Sequence, residues 1–151
     1  EGSMREAMAV AFAAAGVAHN VEMPGRCNDV HAWVTQSKVF LLTSPSEGLS
    51  IALLEAMCAG AVPVVSDVGE LGDVVRDGET GFLVPSRRPD EYEERVLEIL
   101  DDDPRRESLS RRACEVARGH AGMAAVSRRW EALFDRLSTP APHLSDSRGA
   151  G

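Results

Sequence analysis

The sequence predicts an α/β fold built on a doubly wound parallel sheet, and three observations carry that prediction. Short apolar runs, Val39-Phe40-Leu41-Leu42 and Val62-Pro63-Val64-Val65, alternate with helix-forming stretches, as βαβ units with right-handed crossovers require. The first run is apolar throughout, the pattern of a strand buried on both faces of a parallel sheet. The 151 residues, 44% hydrophobic and 26% charged, suit one folded domain and not a disordered or collagenous chain.

The elements follow in order. Residues 4–15, rich in Ala and Met with Arg5 and Glu6 on one side, predict a helix that stops at Gly16. Asn20-Val21-Glu22-Met23, ahead of the Pro24-Gly25 turn, predicts a short strand. Asn28-Asp29 offers an N-cap to an amphipathic stretch through Val30, Trp33 and Val34. The strand at 39–42 leads into Thr43 and a polar loop, and Ile51–Ala59 is strongly helical up to Gly60, a good C-cap residue. Pro63 cannot donate a ladder hydrogen bond, so it is expected at the start of the strand at 62–65. A glycine-punctuated loop, Ser66 to Gly69, a short helix around Asp73-Val74-Val75 and an Asp77-Gly78 turn precede a last strand, Gly81-Phe82-Leu83-Val84-Pro85. Beyond Pro89 come three helices, residues 90–100, 104–118 and 122–137, with no further strand. The domain is therefore read as residues 1–137, and residues 138–151, poor in apolar side chains, as a disordered tail.

Charge and cysteine usage exclude several function classes. Lys plus Arg number 16 against 24 Asp plus Glu, and a net charge of −8 argues against a nucleic-acid backbone binder, which needs a basic face. Cys27, Cys58 and Cys114 form no C-x-x-C pair and have no His at metal-ligand spacing, so no metal site is expected. They read as small core hydrophobes in a reducing compartment, and the expected location is cytoplasmic. No run approaches the roughly 18 apolar residues of a membrane span, and the first residues lack a secretory leader pattern. His19, His31, His120 and His143 have no acid at fixed spacing and are assigned no chemistry. The acids at 90–103 read as a solvated helix face, and Arg111-Arg112 and Arg128-Arg129 as intrahelical partners of Glu107, Glu115 and Glu131. Trp33 and Trp130 are expected to pack.

In open α/β sheets ligands bind beyond the carboxyl ends of the strands. One such loop stands out, Ser44-Pro45-Ser46-Glu47-Gly48-Leu49-Ser50, followed by a helix that carries Glu55. Amides from Gly48 to Ile51 and the positive end of the helix dipole favour an anionic group. A carboxylate accepts hydrogen bonds from paired hydroxyls, so Glu47 and Glu55 can each hold a diol, which suits a sugar nucleotide. Acids near a helix start also complement its dipole with no ligand at all. The sequence has neither G-x-G-x-x-G after a strand nor G-x-x-x-x-G-K-[ST], which removes support for nicotinamide and Walker-type binding.

The stretch from Val39 to Gly60 with Val62-Pro63-Val64-Val65 strongly resembles the donor-binding signature of retaining glycosyltransferases of the GT-B fold, the family of sucrose and glycogen synthase relatives. The likeness includes Glu47 and Glu55 with seven residues between them and extends from about Gly2 to Pro85. Val21-Glu22-Met23-Pro24-Gly25 resembles the family's strand before the base-binding turn, and Asp77-Gly78-Glu79-Thr80-Gly81-Phe82-Leu83-Val84 its D-G-x-x-G-x-L-V segment.

The resemblance implies a nucleotide-sugar donor, a UDP-, GDP- or ADP-hexose, and no metal or other cofactor. Glu47, the candidate catalytic residue, would contact hydroxyls of the donor sugar, and Glu55 the ribose hydroxyls. Amides of Gly48, Leu49 and Ser50 would meet the sugar and diphosphate, Ser44 would line the pocket, and the Gly25-Arg26 turn would present backbone groups to the base. No residue need be a nucleophile, since such enzymes are thought to react by front-face departure and attack. Two departures stand out. Where the family has two glycines and a Pro-Glu pair, this sequence reads Gly69-Glu70-Leu71-Gly72-Asp73. The family's first strands, its Arg and Lys diphosphate clamp and its acceptor domain have no counterpart, and Lys38 is the only Lys. The expectation is a donor-binding half, inactive alone, whose partner is a missing N-terminal acceptor domain or a separate chain. The face of Trp130, Leu133, Phe134 and Leu137 is expected to favour self-association as a homo-oligomer. The alternative is a non-catalytic binding or assembly module of the same fold; a sugar-nucleotide epimerase is a weaker third.

Overall fold

The computed structural model describes residues 2–138, which form two compact units divided between Trp33 and Val34. The first unit holds α1 (Arg5–Ala14), a 3-10 turn at Ala18–Asn20 and the start of α2 (Val30–Val34). The α1 boundaries match the expected helix, and Asp29 caps α2 as expected, its Oδ1 accepting from the Ala32 amide at 3.0 Å. The strand expected at Asn20-Val21-Glu22-Met23 does not form. Val21 has an extended backbone, φ −117° and ψ 122°, but a strand needs an adjacent edge, and this unit contains no other strand among the described residues.

The second unit is built on β1 (Val39–Leu42), β2 (Val62–Ser66) and β3 (Phe82–Val84), parallel and in that spatial order. Val39 pairs with Val62 and Val64 with Phe82, so each connection is a crossover. β2 is central and buried along its whole length, its four apolar residues and Ser66 alike. β1 is apolar throughout but pairs on one side only among the described residues, and Leu41 is 52% exposed, which corrects the expectation of burial on both faces. Pro63 lies one residue inside β2. The Val62 amide bonds Lys38 O on the β1 side at 3.0 Å, so strand alternation turns the Pro63 nitrogen to the other side, ahead of the point where β3 begins.

Side chains of β2 alternate between two cores. Val65 joins Leu53, Leu54 and Met57 of α3 (Ile51–Ala59), Leu71, Val74 and Val75, and Ala113 and Ala117 of α5 (Asp103–Ala121). Val62 and Val64 join Phe82, Val84, Tyr92 and Ile99 of α4 (Pro89–Asp101), and Leu109. α3 ends as expected at Gly60, whose φ of 97° closes the helix in the left-handed region. The helix expected around Asp73 is a single 3-10 turn, Leu71–Asp73, because the buried Leu71, Val74 and Val75 turn the chain inward together. β3 is shorter than expected: Pro85, with no N–H to donate, falls just outside it.

The helices after β3 lie close to the expected ranges. α4 and α5 are locked at the start of β3, where the Arg95 and Arg105 guanidinium groups lie 5.1 and 5.9 Å from the Phe82 ring centre and Glu98 pairs with both. Asp102 caps α5, its Oδ1 accepting from the Arg105 amide at 2.9 Å. Glu98 is thereby drawn out of the expected solvated run, while Asp102 stays exposed as it caps. Arg112 bonds the Ser108 hydroxyl and carbonyl, not the glutamates expected to pair with it. Trp33 and Trp130 are 45% and 55% exposed, against the expectation of packing. On α6 (Met123–Ser138) Trp130 stacks on Phe134 at 5.8 Å between ring centres, so the two rings cover one another in place of a core. The expected tail lies outside the described residues except for Ser138, which ends α6.

Candidate functional site

The loops that leave the carboxyl ends of β1 and β2 stand side by side in the second unit. Ser50 starts α3 as its N-cap, accepting from the Leu53 amide at 3.3 Å through Oγ and from the Leu54 amide at 3.3 Å through its carbonyl. Ile51 and Ala52, the first helical residues, precede any intrahelical acceptor, so their amides are available to a ligand. A Ser50→Ala chain is expected to lose about 1 kcal/mol of stability, read as a lower urea midpoint at unchanged slope.

α3 is buried along one side by Leu53, Leu54, Ala56 and Met57, while Ile51, Ala52 and Glu55 are exposed. Residues four apart share a helix face, so Glu55 stands one turn beyond the free amide of Ile51 on the same solvent side. Ile51, 72% exposed, adds an apolar surface beside them that the sequence reading did not single out. Glu47 and Ser44 are half-buried in the loop, and Gly48 is exposed. Leu49 packs against the α3 core, which anchors the loop and leaves only its backbone to a ligand.

Gly69 fixes the Glu47 loop from the other side. It has φ 57°, and a Cβ built on it would overlap the Glu47 carbonyl oxygen and stand 2.8 Å from the carbonyl carbon. The β2 loop therefore lies on the Glu47 peptide with no room for any other residue. Glu70 and Asp73, where the sequence departs from the resembled pattern, are exposed next to it.

Below these loops the ends of the strands are tied by a buried pair that the sequence did not reveal. The Ser66 hydroxyl donates to Leu42 O at 3.3 Å and lies 2.7 Å from the Tyr92 hydroxyl, which therefore donates to it. Tyr92 is the single Tyr of the chain, and a buried Tyr needs a partner for its O–H; only that rule was available as a signal.

Gly25 and Arg26 belong to the first unit, where they form the expected turn; both are exposed and Gly25 has φ 75°. Lys38 immediately precedes β1, at the amino end of the sheet and opposite the loops just described. A pocket of about 580 Å³ lies elsewhere, between Leu41 and Thr43 of the β1 side and Arg87, Arg88, Pro89, Tyr92, Glu93 and Val96. It contains none of the expected site residues. Among the described residues no three His, Cys, Asp or Glu converge as metal ligands, and no helix is long and apolar enough to cross a membrane.

Fold and site define a class: an open parallel α/β domain with an anion-ready helix start and two carboxylates at the carboxyl end of its sheet. The chain belongs to the family "Glycosyl transferases group 1", whose sequence profile matches residues 1–116. It is 30% identical over 113 residues to a D-inositol 3-phosphate glycosyltransferase of Corynebacterium aurimucosum, a match covering 75% of this chain and 27% of the relative. In fold it is similar to sucrose-phosphate synthase from Thermosynechococcus elongatus, with TM-score 0.79 and 22% identity over 90% of this chain and 35% of that one. It is also similar to Anabaena Alr3699/HepE in complex with UDP, with TM-score 0.81 and 17% identity over 87% of this chain and 36% of that one. The resemblance read from residues 39–65 is thus a family membership, and the α/β, Rossmann-like fold class holds.

Proposed function

We propose that this chain is the donor-binding half of a retaining glycosyltransferase, holding a nucleotide diphosphate sugar from which a hexose passes to an acceptor. One observation carries the reading: the free amides of Ile51 and Ala52 and the Glu55 carboxylate share the solvent side of α3, with Glu47 in the loop ahead of it. Amides and the positive helix end suit diphosphate oxygens, and each carboxylate suits a diol, Glu55 the ribose and Glu47 the sugar. Ser44, Gly48, Leu49 and Ser50 complete the sugar and phosphate contacts within the second unit. Family membership supports this, as does the likeness to a fold that holds UDP.

In this reading the leaving diphosphate is stabilised electrostatically, with no protein nucleophile and no metal. The chain spans 27% of the length of the Corynebacterium relative. The acceptor site and the cations opposite the diphosphate are accordingly assigned to further sequence or to a separate chain. Without that second wall an acceptor is neither oriented nor shielded from water, so the chain alone is expected to give no turnover. The reading includes a cytoplasmic location, a reducing compartment that suits three free cysteines.

Calorimetric titration with UDP, GDP and ADP and their glucose, mannose and N-acetylglucosamine conjugates tests the reading. Saturable binding of one base series, unchanged by EDTA, supports it. One observation favours the alternative of a non-catalytic binding or assembly module: Lys38 is at the far end of the sheet from the loops, so the sole Lys offers a diphosphate nothing. Absence of binding up to millimolar concentrations would select that alternative.

A further inference from the structure

The contact between α3 and α5 brings two cysteines together. Cys114 Sγ donates to the Cys58 carbonyl at 3.4 Å, which puts the Cys114 sulfur against the peptide that carries the Cys58 side chain. The two helices can approach this closely because the contact is made of small residues. Ala113 and Ala117 are wholly buried on the α5 side of it, and one turn earlier on α5 the Ser110 hydroxyl donates to Gly60 O at 2.7 Å. Both cysteines are free and half-buried, so a small oxidant has access, and Cys27 belongs to the other unit.

We propose that Cys58 and Cys114 are an oxidisable pair that closes to a reversible intrachain disulfide and so staples α3, the helix of the candidate donor site, to α5. With a low-molecular-weight disulfide as oxidant, one cysteine attacks as thiolate and one small thiol leaves. The second cysteine then displaces the other from the mixed disulfide. Two protein thiols become one disulfide and the oxidant becomes two thiols, with both protons carried by the products. Burial raises the Cys58 thiol above its ordinary range; Cys114 adds to this and Arg118 opposes it. Oxidation is accordingly slow near neutrality, a response to sustained oxidant and not to a brief pulse.

The consequence for the site rests on the donor reading, but the bridge itself does not. Glu55 precedes Cys58 by three residues, on the same rigid helix, so a clamp at the α3 C-terminal end acts on the segment that presents Glu55 and the free amides.

The test uses the full chain carrying Cys27→Ser, incubated with oxidised glutathione, then alkylated and mapped by mass spectrometry. Expected is the loss of both alkylatable thiols, a peptide joining Cys58 to Cys114, and recovery of both thiols with dithiothreitol. Adding Cys58→Ser or Cys114→Ser should trap a glutathione adduct on the remaining cysteine. If both thiols stay alkylatable, if each carries its own glutathione, or if the linked peptide forms only in urea, the proposal is wrong. A second arm titrates UDP-glucose against the reduced and bridged forms. A shift in affinity supports the coupling, equal affinity removes it, and no binding to either form counts against the donor reading while the bridge stands on the thiol count.

Discussion

A Gly69→Ala chain is expected to be less stable than the parent by roughly 2–4 kcal/mol and to lose most of its affinity for a nucleotide-sugar. Two costs combine at this position. The backbone is at φ 57°, where an L side chain is disfavoured, and the new Cβ would fall on the Glu47 carbonyl. That obstacle is a peptide group and not the end of a flexible side chain, so relief comes only by moving one loop off the other. If the β2 loop moves, the buried Leu71, Val74 and Val75 behind it are disturbed. If the Glu47 loop moves, the candidate sugar ligand leaves its place. Either way the effect is large against a total stability of about 5–15 kcal/mol. Gly72→Ala is the control in the same segment: its Cβ would meet Leu83 Cδ1 at an ordinary 3.8 Å, and a change of about 0.5 kcal/mol or less is expected. Urea unfolding of the two variants decides the matter, and equal midpoints would show that the two loops are not interlocked.

What was legible in the sequence is the part whose cause is local. β1, α3 and Gly60 were read to the residue because an apolar run, a helix former series and a C-cap glycine act within a few positions of themselves. The Asp29 cap is legible for the same reason. The misreadings share a different cause. Asn20 to Met23 has the composition of a strand, but a strand exists only with a neighbour, and composition does not supply one. Leu41 is apolar but lines the open pocket on its face of β1, so its exposure follows from tertiary packing and not from residue type. Trp33 and Trp130 were expected to pack on the strength of size alone, which says nothing about what stands opposite.

The candidate site divides along the same line. That Glu55 follows the start of α3 on the same helix can be counted off the sequence, whereas the Ser50 cap came only with the structure. The Ser66, Tyr92 and Leu42 tie, the closeness of Gly69 to Glu47, and the meeting of Cys58 with Cys114 join residues 22 to 56 positions apart, and each depends on how the crossovers stack. Spacing proposes ligands; tertiary packing decides how rigidly they are held.

The sharpest test of the donor reading is Glu55→Gln, expected to weaken whichever nucleotide-sugar the parent binds by about 10- to 100-fold. The reasoning starts from stability. Glu55 is exposed on a helix whose other side makes the core, so exchanging it for an isosteric amide should change folding by no more than about 0.5 kcal/mol. A loss of affinity then reports on the ligand and not on the fold. A carboxylate accepts from both hydroxyls of a diol, whereas an amide has one acceptor oxygen and turns a donor toward the second hydroxyl. Hydrogen bonds to a charged acceptor are each worth about 1.5–3 kcal/mol, which sets the size of the effect. Its selectivity is as informative as its size. If Glu55 holds the ribose, free nucleoside diphosphate and its sugar conjugate must weaken by the same factor, because both carry the ribose. Glu47→Gln, by contrast, should weaken the conjugate and spare the free diphosphate. Equal loss of both ligands in both variants would mean that the two carboxylates act through the local field alone, and unchanged affinity in Glu55→Gln would remove Glu55 from the site.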